Sequence, residues 1–96
     1  MASSSSVGTV RATLLIRAHC AFCDDAKAIL NRLAREYPLT LELVDMDSRV
    51  GERLALRGGM LFPPGIFLDG EPFSYGRPSE RKLRRELERR ASIGSG

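Results

Sequence analysis

An α/β domain of element order β-α-β-α-β-β-α, a four-stranded mixed sheet flanked by helices, is predicted from three features of the chain. A β-rich apolar run, VRATLLIR, passes directly into AFCDDAKAILNRLARE, whose apolar residues recur at helical spacing. A second strand-like run, LTLELVD, is again followed by a helical pattern, DSRVGERLALRGG. Downstream, GIFLDGEPFSYG places the two-residue turn Asp69-Gly70 between apolar arms, which reads as a hairpin. The strand, crossover and strand at the front imply a parallel right-handed unit, and the hairpin adds an antiparallel edge.

Each element follows from its residues. Residues 10–17 are nearly continuously apolar at Leu14, Leu15 and Ile16, as suits a strand covered on both faces. Over residues 21–36, Phe22, Cys23, Ala26, Ile29, Leu30 and Leu33 fall on one helical stripe. Asp24 and Asp25 stand in the first turn, where the macrodipole favours negative charge, and Pro38 stops the helix. Residues 39–45 alternate at Leu39, Leu41 and Leu43, the period of a strand. A short helix through Leu54 and Leu56 follows, capped by Asp47 or Ser48 and stopped by Gly58-Gly59; Gly51 within it lowers helix propensity. In the hairpin, Pro72 cannot donate to a ladder, so its arm is expected at a sheet edge. Residues 78–91 form the last helix, with Pro78 and Ser79 suited to its start. One domain over residues 10–91 results. Residues 1–9, rich in Ser, and the closing residues 92–96 are expected to be disordered.

Composition narrows the function classes. An apolar fraction of 43% is that of a soluble globule. No apolar run approaches the ~18–20 residues that span a bilayer, and no basic-then-apolar leader opens the chain, so neither membrane nor secretion is expected and a cytoplasmic location is. The net charge of +3 is mostly arginine, much of it in RPSERKLRRELERR. There Glu80, Glu86 and Glu88 interleave with the bases while Leu83 and Leu87 recur at helical spacing. That describes a solvated amphipathic helix, and no nucleic-acid partner is expected.

The chemistry-bearing feature is the chain's pair of cysteines, Cys20 and Cys23, in HCAFC. A structural bridge across three residues would close a very short loop, where loop-closure stabilisation is smallest. Cys20 stands where a strand hands over to a helix, whose unpaired N–H groups favour a thiolate. Three residues on, Cys23 returns over Cys20. Cys20 can then attack a disulfide and Cys23 resolve the mixed disulfide. Cys23 lies on the apolar stripe and is expected to be the less exposed partner. Arg17 and His19 are basic neighbours that favour the anion, whereas Asp24 and Asp25 oppose it if they face the sulfur. Phe22 is a candidate apolar contact for partners. Asp45 and Asp47 read as a strand end and a helix cap. The same sulfurs admit two other uses: binding zinc, copper(I) or an iron–sulfur cluster, or an inert pair in an interaction domain. A zinc site wants four ligands, and Cys20, Cys23 and His19 supply three at most, so no metal ligand set is assigned.

The strand–CAFC–helix opening, the later PGIFLDG and the element order together resemble the thioredoxin superfamily, and most of all its small glutaredoxin-like branch. The resemblance spans about residues 10–91. It implies a thioredoxin-like fold and a thiol–disulfide oxidoreductase with Cys20 attacking and Cys23 resolving. Arg17 matches a position where many glutaredoxins carry a lysine that contacts glutathione. Pro64, six before Gly70, matches the family's cis-proline, which lies against the cysteines and shapes the substrate groove; the adjoining Pro63 is the alternative cis residue. Gly76 resembles the second glycine of the family's Gly-Gly turn. The implied partners are protein disulfides or mixed disulfides, with glutathione, another small thiol or a reductase protein as electron donor, and a monomer is expected. No resident cofactor is expected, although some glutaredoxins without a proline inside CxxC hold a [2Fe–2S] cluster between two subunits. Three departures stand out. Ala21-Phe22 separates the cysteines. Pro63 brings no N–H to the position that pairs with substrate backbone. Tyr75 replaces the first turn glycine, and Arg77-Pro78-Ser79 follows where glutathione-binding members usually have an aspartate.

Overall fold

The structure is a computed structural model that describes residues 9–95, with side chains to residue 91. Residues 1–8 and 96 of the two expected disordered segments lie outside it. The elements run β1 (Val10–Ile16), α1 (Ala21–Leu33), β2 (Leu39–Asp45), α2 (Arg49–Gly58), β3 (Gly65–Leu68), β4 (Glu71–Tyr75) and α3 (Glu80–Ser95). The order is the expected one, and the sheet reads β2-β1-β3-β4 across. β1 pairs parallel with β2, in register Ile16 with Asp45. β3 pairs antiparallel with β1, Leu15 with Gly65, and β4 antiparallel with β3, Gly65 with Tyr75.

This register decides where a site can form. The ends of β1, β2 and β4 and the start of β3 all meet at one end of the sheet, the carboxyl end of its parallel pair. Open α/β sheets use that end for binding, because the loops leaving the strands converge there.

The sheet is covered on both faces. Val10, Ala12 and Leu14 of β1, Ala26, Leu30 and Leu33 of α1, Ile66 and Leu68 of β3, and Leu83 and Leu87 of α3 form the larger cluster. Leu15, Met46, Met60 and Phe67 form a smaller one under α2, with Val44, Leu54 and Ala55 packed against it. Full burial of one such side chain is worth roughly 1.5–3 kcal/mol, so α1 and α3 carry most of the packing.

Local rules explain most boundaries. Ser48, not Asp47, caps α2: its hydroxyl accepts from the Gly51 N–H at 3.0 Å. Gly51 is needed there because a Cβ would stand 2.0 Å from the Asp45 carbonyl oxygen. Asp69 and Gly70 both have positive φ, 52° and 84°, the geometry of a type I′ hairpin turn. β4 is an edge strand, as Pro72 requires, and Phe73 is the extra residue of a bulge: Phe67 pairs with Pro72 while Ile66 pairs with Ser74.

Three expectations are corrected. α1 stops at Leu33, three residues short of Glu36, because the Arg35 and Glu36 amides tighten onto the carbonyls three residues back, those of Arg32 and Leu33. Leu43 is 48% exposed although it shares the alternation of Leu39 and Leu41; β2 is the other edge strand, and the cover of α1 and α3 thins there. α3 continues to Ser95, past the expected end at residue 91. Among the described residues, no helix is long and apolar enough to cross a membrane.

Candidate active site

Cys20 is the N-cap residue of α1, with extended backbone (φ −124°, ψ 105°). Its sulfur accepts the Cys23 N–H at 3.1 Å, in the manner of a capping hydroxyl. The chain reaches this cap through His19, whose φ of 57° turns it out of β1. The two sulfurs are bonded to each other, with Cα atoms 5.1 Å apart, so one helical turn places them within covalent reach. Their surroundings differ. Cys23 is 1% exposed, beneath the first turn, while Cys20 is half-buried at the rim. A substrate disulfide can therefore reach Cys20 and cannot reach Cys23. With the pair reduced, the Cys23 N–H and the α1 dipole both stabilise negative charge on the Cys20 sulfur.

Cys20 opens on a cavity of about 340 Å³ lined by Ile16, Arg17, Ala18, His19, Asp24, Lys27 and Asp45. Arg17 and His19 thus stand beside the sulfur as expected. Yet the Arg17 guanidinium is engaged: Nε and Nη2 donate to the two Asp47 carboxylate oxygens, each at 3.0 Å. These hydrogen bonds hold the Asp47 carboxyl below its usual range and push Arg17 further above its own. Asp47 is held in place by its backbone N–H, which donates to Asp45 Oδ1 at 2.8 Å. The ion pair offsets the charge that Arg17 brings to the cavity. Lys27 is a cation the sequence reading missed. Its position seven residues after Cys20, two helical turns along the same face, was the available signal. Its Nζ lies 3.5 Å from Asp24. Asp25 does not face this cavity; it lines a separate hollow of about 440 Å³ between α1 and the start of α3, with Arg32, Arg77 and Glu80.

The second wall comes from the start of β3 and the end of β4. The Pro63–Pro64 bond is cis, so Pro64 is the cis residue. Pro64 is fully buried, and its carbonyl accepts the Gly76 N–H at 2.8 Å. Gly76 is buried with φ 83°, and a Cβ there would approach the Phe62 ring to 2.9 Å. Phe62 and Tyr75 meet edge to face, centroids 5.1 Å apart, and both are exposed. Phe22 is 45% exposed in the first turn of α1. Sheet register places Pro63, Pro64 and Gly76 at the same end as Cys20. Tyr75, read from the sequence only as the residue in place of a turn glycine, and Phe62 belong to that wall. Among the described residues, no three metal-ligating side chains cluster.

No protein-family model and no curated protein matches the chain. Solved structures do. A point mutant of the thioredoxin of Halobacterium salinarum aligns over 93% of this chain and 80% of its own, with 22% identity and a TM-score of 0.69. The thioredoxin of Fasciola hepatica aligns over 90% and 85%, with 22% identity and a TM-score of 0.65. A malarial protein aligns over 85% and 97%, with 20% identity and a TM-score of 0.65. Sheet order, helix placement and these alignments agree: the chain has the thioredoxin-like fold.

Proposed function

We propose that the chain is a thiol–disulfide oxidoreductase acting on protein disulfides and mixed disulfides. The observation that carries this reading is the bonded Cys20–Cys23 pair at the start of α1, one sulfur at the surface and the other buried. In the reduced protein, the Cys20 thiolate attacks a substrate disulfide. A Cys20–substrate S–S bond forms, the substrate bond breaks, and the first substrate thiolate leaves and takes up a proton. Cys23, deprotonated, then attacks the Cys20 sulfur. The Cys20–Cys23 bond forms and the second substrate thiolate leaves. Two electrons have passed to the substrate, and an external dithiol, or two thiols, returns them.

The wall opposite Cys20 favours a polypeptide substrate. Phe62, Tyr75 and Phe22 offer exposed apolar and aromatic surface at the sulfur end of the sheet. Pro63 leaves only its carbonyl to pair with an extended substrate, since it has no N–H. A small anionic thiol such as glutathione would need Arg17, which Asp47 already engages. The preferred electron donor is accordingly a reductase protein, and the protein works as a monomer in a reducing compartment.

The test is disulfide reduction by the wild type and two variants. Cys20→Ser keeps the cap, because a serine hydroxyl accepts the same N–H; it should fold normally and lose all turnover. Cys23→Ser should accumulate mixed disulfides through Cys20 when offered an oxidised protein substrate. Equal rates for wild type and Cys20→Ser would refute the reading.

A further inference from the structure

We propose that the outer face of α2 is a docking surface for an acidic segment of a partner protein anchored by an apolar side chain. Arg49, Arg53 and Arg57 recur every four residues, so they form one exposed stripe along this ten-residue helix. Among the described residues, none of the three is within ion-pair distance of a carboxylate. Six bases elsewhere, Arg17, Lys27, Arg32, Arg84, Arg89 and Arg90, have carboxylate partners, and six others, Arg11, Arg35, Arg77, Arg81, Lys82 and Arg85, have none among the described residues. What sets α2 apart is that two of its three free guanidiniums, those of Arg53 and Arg57, border an apolar hollow. Like charges four apart on a helix repel, so the stripe carries a cost that an acidic partner would remove.

Apolar groups flank the stripe. Val50 is 60% exposed and Leu56 83% exposed. A hollow of about 370 Å³ is lined by Val50, Arg53, Leu54 and Arg57. Arg57 is steadied from below, its guanidinium 5.7 Å from the Phe67 ring centroid. A concave apolar hollow bordered by guanidiniums suits one inserted side chain with carboxylates beside it. Membrane-surface helices instead present a broad convex apolar face. A nucleic-acid backbone would use the arginines and leave the hollow empty. The stripe starts at Arg49, two residues after Asp47, at the sulfur end of the sheet; neither the surface nor its test involves the sulfurs.

The experiment is an NMR titration of the full, isotopically labelled chain with a synthetic peptide of alternating glutamate and leucine. Amide shifts should be confined to α2 and the residues packed under it, and should weaken as salt rises. Arg53→Glu, an exposed change, should weaken binding about tenfold with the rest of the spectrum unchanged. Val50→Asn should weaken it without altering the salt dependence. Four results would overturn the proposal: no shifts on α2; the same shifts at lower concentration with phosphatidylserine vesicles; the same with a single-stranded oligonucleotide; or concentration-dependent shifts without peptide, which would make the face a contact between two copies of this chain.

Discussion

Gly51 shows how a single position can invert a sequence rule. In an isolated helix, alanine is better than glycine by about 1 kcal/mol. Here a Cβ would meet the Asp45 carbonyl oxygen at 2.0 Å and the Met46 Cα at 2.8 Å, both main-chain atoms that cannot swing aside. Gly51→Ala should therefore lower stability by about 2–3 kcal/mol, in the range of overpacked cores, as read by urea denaturation; an unchanged or raised midpoint would contradict this contact. Asp47 acts through Arg17. Asp47→Asn removes the carboxylate that holds the guanidinium and leaves the cation facing the Cys20 cavity. Reduction of an anionic mixed disulfide should then rise about threefold relative to a neutral one, the size of an exposed charge effect. An unchanged ratio would remove Arg17 from substrate contact.

Between elements, α3 is tied to its neighbours by carboxylate–guanidinium contacts as well as by Leu83 and Leu87. Arg32 of α1 reaches Glu80 at 2.7 Å, Arg84 pairs with Glu36 and Glu80, and Arg90 reaches Asp69 in the hairpin turn at 2.9 Å. Hydrogen bonds from Arg84, Arg32 and Arg89 hold the Glu36, Glu80 and Glu86 carboxyls below the ordinary 4.5. For a carboxyl whose folded value is depressed, the stabilisation is complete above the unfolded value and is lost as pH falls through the folded one. Melting temperature should thus hold from neutral pH to about pH 5 and drop below 4.5, less steeply in high salt. Arg84→Met should flatten the drop. A melting curve independent of acid would show that these surface pairs contribute nothing.

Across the fold, packing is uneven. Eleven buried residues make the cluster under α1 and α3, against four under α2. Local opening costs least where few apolar contacts resist it. Amides of α2 should therefore exchange with solvent well before those of β1 and β3, which are central in the sheet. Equal protection of α2 and β1 would mean that the smaller cluster holds its helix as firmly as the larger one. A helix that opens more readily than the sheet can also adjust to a docked partner at little cost.

The order of elements, the Cys20–Cys23 spacing at a helix start, the Asp69-Gly70 turn and the edge position of Pro72 were all legible in the chain. Each rests on forces that act within a few residues: side-chain period, capping, φ preference and the missing proline N–H. The Arg17–Asp47 pair, thirty residues apart, was not. The cis bond at Pro64 was implied by the family resemblance alone, with Pro63 as the alternative. Neither the exposure of Leu43 nor the meeting of Phe62 with Tyr75 was legible. Those depend on which strands become neighbours and in what register, and no local pattern encodes the register of a parallel pair joined through a helix. Packing chose it, and with it the residues that surround the sulfur.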